Sequence, residues 1–193
     1  MNDRNAAVAA GRHTASAGTR ARQRGFSLLE LVVVIGIVAT LAAVFLAQVP
    51  VWQARAETVA MEHVVGSLRS ALTIKVAQLI AHGNAAGIRS LAGSNPMERL
   101  AERPANYIGV LSAVEAAGIN GGVWYFDRHG RTLVYRVRHE AYFSGGLSDP
   151  ARARFVVRPV YEQSSRQRHD HVAGVRLAPV EPYAWRREPV ASN

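Results

Sequence analysis

One run in this chain leaves little freedom in how it can fold. From Phe26 to Ala47, 22 residues contain no Lys, Arg or His, and Glu30 is the only acid among them. As a helix the run spans roughly 33 Å at about 1.5 Å per residue, enough to cross a hydrocarbon core about 30 Å thick. It exceeds the apolar core of a secretory signal, about 7–15 residues. Arg4, Arg12, Arg20, Arg22 and Arg24 precede it, against Asp3 alone. That bias holds residues 1–25 on the cytoplasmic side and sends the C-terminus across the membrane.

Glu30 is the anomaly in the run. An acid inside a spanning helix costs about 2.5–3.5 kcal/mol and usually has a partner. Ser27 and Thr40 are the only other polar side chains of the run, so it offers no cation. Two readings stand. Glu30 lies near the interface, protonated or reaching to headgroups. Alternatively, the chain is cut between Gly25 and Phe26, which creates an α-ammonium on Phe26 one helical turn away, within reach of Glu30 in the same chain or a packed neighbour.

Arg24-Gly25-Phe26-Ser27-Leu28-Leu29-Glu30-Leu31, followed by a Val/Ile/Ala run, resembles the class III signal of type IV pilins and type II secretion pseudopilins. The resemblance implies that a prepilin peptidase cuts after Gly25 and methylates the new Phe26 nitrogen. It implies that Glu30 pairs with the Phe26 ammonium of an adjacent subunit. The apolar helix, with Leu28, Leu31, Val34, Ile35, Val38, Leu41, Val44 and Phe45, would anchor the subunit in the inner membrane and then form the core of a filament. The implied organisation is a leader over 1–25, a transmembrane and filament-core helix over 26–50, and a periplasmic pilin-like domain over 51–193. The implied partners are the peptidase, other pilin or pseudopilin subunits, the inner-membrane assembly platform and the membrane itself. No cofactor, metal or catalytic residue is implied. The chain has no cysteine, so the disulfide of many major pilins is impossible and the resemblance shifts toward pseudopilins and minor pilins. The presence of Glu30 argues for a body position rather than a tip.

Beyond the run, an apolar stripe at three- and four-residue steps (Met61, Val64, Val65, Leu68, Leu72, Val76, Leu79, Ile80) predicts an amphipathic helix. It ends at His82-Gly83-Asn84, where Gly and Asn suit a C-terminus. One long helix from about Ser27 to Ala81 is expected, ended or kinked at Pro50. Residues 83–95 read as a loop. Asn95-Pro96 starts a short helix, and 111–117 reads as another. Val123–Phe126 and Thr132–Val137 flank Asp127-Arg128-His129-Gly130 as a hairpin. Residues 154–161 and 172–177 read as further strands, with Pro159 favouring an edge. The prolines after Ala178 predict an irregular, exposed tail. The fold class is α+β: a long N-terminal helix, its first half transmembrane, packed on a small antiparallel sheet.

Net charge is +9, falling to +5 without residues 1–25, and Lys75 is the only lysine. No block of five like charges occurs, so the arginines read as a solvated surface. Trp124, Tyr125, Phe126 and Tyr135 with Arg128, Arg131, Arg136 and Arg138 are candidates for a stacking surface on single-stranded nucleic acid. Core packing is the favoured reading, and nucleic acid is not an expected partner. His169 and His171 flank Asp170 and would share a strand face as metal ligands, but their polar surroundings read as a solvated loop. No nucleophile, phosphate-loop or metalloprotease motif occurs, so an enzyme is not expected. The competing reading is a single-pass anchor holding a periplasmic binding module, for instance for DNA, with no cut at Gly25. A variant of it is a secreted protein cut after Ala47.

Overall fold

A computed structural model describes residues 27–147, 150–162 and 171–189. Two compact units divide the chain, Met1–Ala43 and Val44–Asn193. Helix α1, Leu28–Ala81, runs through Pro50 without ending. In the first unit every described helical residue is exposed. Thr40 satisfies its hydroxyl within the helix, donating to the Gly36 carbonyl at 2.8 Å.

In the second unit α1 has one buried side. Ala54, Glu57, Met61, Val65, Leu68 and Leu72 recur at steps of three and four, the spacing that places side chains over one another on one helix face. Leu68 is fully buried and Met61 and Leu72 nearly so. Val64, Val76 and Leu79 lie partly buried, whereas Ile80 is exposed. Asn84 caps a second helix, α2 (Ala85–Ser90), by accepting from the Gly87 amide at 2.8 Å. This helix stands where a loop is expected from the Gly/Ala/Asn composition. Asn95 and Pro96 open a 3₁₀ turn over Pro96–Arg99 as anticipated, with the Asn95 side chain accepting from the Met97 amide.

The buried side of α1 packs on the inner face of a five-stranded mixed sheet. Its strands are β1 (Tyr107–Leu111), β2 (Val123–Asp127), β3 (Thr132–Arg136), β5 (Arg152–Glu162) and β6 (His171–Pro179), in spatial order β1-β2-β3-β5-β6. β1 runs parallel to β2 and the other pairs are antiparallel. α3 (Ala113–Ala116) follows β1 behind a capping box of Ser112 and Glu115, the reciprocal bonding that such a pair provides. A separate ribbon pairs β4 (Phe143–Gly145) with β7 (Tyr183–Trp185).

Alternation fixes which side chains face α1. Trp124, Phe126, Leu133, Tyr135, Phe155 and Val157 join its buried residues in one core, with the Trp124 and Tyr135 rings 4.8 Å apart. Tyr125 and Val134 face the other way, where Ala116 of α3, Leu111 and Ile119 cover them.

The α+β expectation and the hairpin hold. Four readings are corrected. The helix read over 111–117 is shorter, Ala113–Ala116, and Leu111 belongs to β1, which Gly109, at φ 108°, bulges and whose apolar alternation it breaks. β5 is interior rather than at an edge, but β3 pairs it only as far as Phe155. Pro159 therefore sits where β5 has one neighbour, β6, and its missing N–H interrupts no second ladder. The tail does not run free over Tyr183–Trp185: Tyr183 and Trp185 pack on Phe143 at ring distances of 6.0 and 5.2 Å. The sheet has five strands where the sequence outlines four.

Candidate functional site

The first candidate region is the start of α1. Ser27 caps it, its hydroxyl accepting from the Glu30 amide at 3.1 Å. This places Glu30 in the first turn, where a carboxylate is favoured by the positive end of the helix dipole. Among the described residues no donor reaches its carboxylate. Gly25 and Phe26 lie outside the described residues. Leu28, Leu31, Val34, Ile35, Val38, Leu41, Val44 and Phe45 are all exposed, between 44% and 82%. With the equally exposed Leu29, Val32 and Val33 on the opposite side they surround the helix rather than forming a stripe, so no single contact with a folded domain accounts for them. An 18-residue window of α1 has mean hydropathy 2.7 and none of it is buried; α1 is long and apolar enough to cross a membrane.

The second region was not anticipated. Glu57 lies on the buried side of α1 and is 9% exposed. Its Oε1 accepts from the Tyr135 hydroxyl at 2.8 Å and the Arg138 amide at 2.7 Å. Its Oε2 accepts from the His139 amide at 2.9 Å and lies 2.6 Å from His139 Nδ1. The other ring nitrogen, Nε2, lies 3.3 Å from Gln53 Oε1, one turn earlier on α1. Burial, reinforced by the Glu57 carboxylate, pushes the Tyr135 phenol well above its usual range. One carboxylate thus ties α1 to the end of β3 and to Arg138 and His139 just beyond it. A buried acid is tolerated at this position because four donors satisfy it. Position 57 breaks an otherwise apolar stripe of small and large hydrophobes. That interruption is the only trace of the clasp in the sequence.

A cavity of about 610 Å³ opens beside the clasp. Its polar groups are already engaged: Asn106 Nδ2 donates to the Gly122 carbonyl and Arg138 Nε to the Gly121 carbonyl. Gly121 is required there, since a Cβ would collide with the Val137 carbonyl. A second cavity, about 850 Å³, runs between α1 and the Pro96–Arg99 turn. The Ser67 and Ser70 hydroxyls on it donate back to helix carbonyls. Neither hydroxyl is hydrogen-bonded to a side-chain base among the described residues.

The stacking surface is corrected. Trp124, Phe126 and Tyr135 lie in the core against α1, and Tyr125 is buried under α3, so none offers a ring face to a base. Arg131 instead braces the hairpin turn, its Nε donating to the Gly93 carbonyl at 3.1 Å. Arg128 and Arg138 are exposed and Arg136 half-buried. Of the histidine cluster, His169 and Asp170 lie outside the described residues and His171 opens β6. Among the described residues no group of three metal-ligating side chains forms.

These features define a chain with an apolar, membrane-length N-terminal helix and an α+β domain. Residues 20–46 match the prokaryotic N-terminal methylation motif, the signature of type IV pilins and pseudopilins. The motif implies processing by a prepilin peptidase and assembly with other pilins. No curated protein and no solved structure matches the chain.

Proposed function

We propose that the protein is a pseudopilin or minor pilin of a type II secretion system or type IV pilus. In this reading the peptidase removes residues 1–25 and methylates Phe26. The helix over 26–50 holds the subunit in the inner membrane with residues 51–193 in the periplasm. Assembly then withdraws the helix from lipid into a bundle of like helices, and Glu30 pairs with the Phe26 ammonium of a neighbour. The observation that carries the reading is the methylation motif on a helix whose apolar residues are exposed all round. Such a surface is stable in lipid or against copies of itself, but not in water. The pairing account has a physical basis: a carboxylate and an ammonium in low dielectric attract strongly and penalise subunits out of register.

The test is the intact mass and N-terminal sequence of the protein extracted from native membranes. A chain beginning at methylated Phe26 supports the proposal. A chain beginning at Met1 or Gln48 overturns it in favour of an anchored or secreted binding module.

A further inference from the structure

The outer face of the sheet, opposite α1, is divided in two. Leu111, Ala116 and Ile119 cover Tyr125 and Val134 on one half. The other half, formed by the end of β3 and by β5 and β6, has no covering element among the described residues. Alternation assigns to it Arg136, Arg152, Arg154, Arg158 and Arg176, since Tyr135, Ala153, Phe155, Val157 and Leu177 between or beside them lie in the opposite core. The register sets Arg136 directly across from Arg152, and Arg158 directly across from Arg176. Like charges facing one another across a ladder destabilise a sheet. Two such pairs on one face therefore work against the fold and ask for a purpose outside it.

Two acids lie beside these arginines among the described side chains. Glu181 engages Arg154, accepting from its Nε at 3.2 Å, and Asp127 holds its own turn by accepting from the His129 amide at 3.0 Å. Among the side chains that are described, which do not include Glu162 at the end of β5, no other arginine of the face has an acidic partner. A recess of about 270 Å³ beside α3 is lined by Tyr125, Arg136, Arg152 and Arg154 together with the one acid Asp127, and the Nε of Arg136 is buried in the structure without a partner.

We propose that this half-face is a docking surface for an acidic segment of a partner protein, whose carboxylates bridge the two opposed arginine pairs. The chemistry of the face favours a protein over a nucleic acid. The cations are arginines, whose planar forks hold carboxylates and phosphates alike, so the preference rests on the ground between them. Val156, Val160 and Ala178 lie between them on the same face, and Val160 is 40% exposed, so the charges are set in apolar ground. No exposed aromatic is there to stack on a base. The partner's carboxylates would convert each repulsion into a bridged pair, so docking gains what the free fold gives up.

The prediction has two signatures of opposite sign. Arg158→Glu turns one repulsive pair into an attractive one, which raises Tm by about 2 °C while weakening binding of a fluorescent polyglutamate peptide to the full chain in neutral detergent by about five-fold. Adding Arg176→Glu restores a like-charged pair, so Tm falls back while binding weakens further. Arg103→Glu, an exposed arginine away from the sheet, leaves peptide binding unchanged. The proposal is overturned by peptide binding that survives the double substitution, by equal weakening with Arg103→Glu, or by tighter binding of a DNA duplex of matched charge or of phosphatidylglycerol nanodiscs. Self-association abolished by the same substitutions would also overturn it, by making a second copy the occupant.

Discussion

Removing the Glu57 carboxylate should be among the most costly single changes in the second unit. Glu57→Ala leaves the Tyr135 hydroxyl, 3% exposed, with no acceptor, and frees the Arg138 and His139 amides. A buried donor left unpaired costs about 1–3 kcal/mol. The two amides border the 610 Å³ cavity, where water can replace part of what they lose. The loss should therefore be about 3–5 kcal/mol, a large share of the roughly 5–15 kcal/mol that holds a domain together. Glu57→Gln separates charge from hydrogen bonding. The amide oxygen still accepts from Tyr135 and Arg138, but its NH₂ then faces the His139 amide, donor against donor, at a cost of about 2 kcal/mol. For a chain of this size each kcal/mol moves Tm by about 2–4 °C, so the alanine variant should melt about 10 °C lower and the glutamine variant about half as far. Thermal unfolding in detergent, followed by fluorescence of the tryptophans that include core Trp124, measures both. A double-mutant cycle with Tyr135→Phe isolates the bond, because the phenylalanine change should cost about 1 kcal/mol in the parent and little once Glu57 is gone. Glu57→Ala melting within 1 °C of the parent would refute the clasp.

Three further outcomes are expected. Leu68→Ala, at a fully buried position, should cost about 3–5 kcal/mol by urea titration, whereas Ile80→Ala, 58% exposed, should cost under about 0.5 kcal/mol. Tyr135 has its pKa raised in the fold, so the folded state keeps its proton above the unfolded value near 10. That contribution is complete below about pH 10 and declines as pH rises further, and Tyr135→Phe should flatten the alkaline limb of a pH–stability curve. Glu30→Ala should leave cleavage after Gly25 intact on a gel while reducing incorporation into filaments; a bulky residue at Gly25 should block cleavage.

How much of this was readable in the sequence depends on whether a signal is local. The membrane-length run and the amphipathic stripe announce themselves by length and period, and α1 ends at Ala81 as the stripe implies. The β2–β3 hairpin is local too, with Asp127 and Gly130 supplying its turn. What stayed hidden needed partners distant in the chain. β1 is weak alone, with Gly109 in its middle, and exists because β2 lies beside it. β7 sits among prolines and is held by Phe143, about forty residues earlier. Glu57 takes its donors from residues 135–139, so no window around position 57 contains the reason for a buried acid. The arginine pairs share that character: Arg158 and Arg176 look like scattered surface charge until the register sets them face to face.

Two acids on α1 differ in what the described fold supplies to them. Both interrupt apolar stretches, and composition alone treats them alike. Glu57 is enclosed by four donors of its own chain, so its charge is satisfied once the domain folds. Glu30 receives no donor to its carboxylate among the described residues, although its amide is capped by Ser27. An acid so placed in an apolar helix is destabilised relative to water, and a cation supplied from outside the described fold removes that cost. Coupling between the two ends is then minimal: loss of Glu57 should lower stability without affecting processing, and loss of Glu30 should impair assembly without lowering the Tm of the second unit. A Glu30→Ala variant that both assembled normally and melted lower would reverse that assignment, making Glu30 a structural acid.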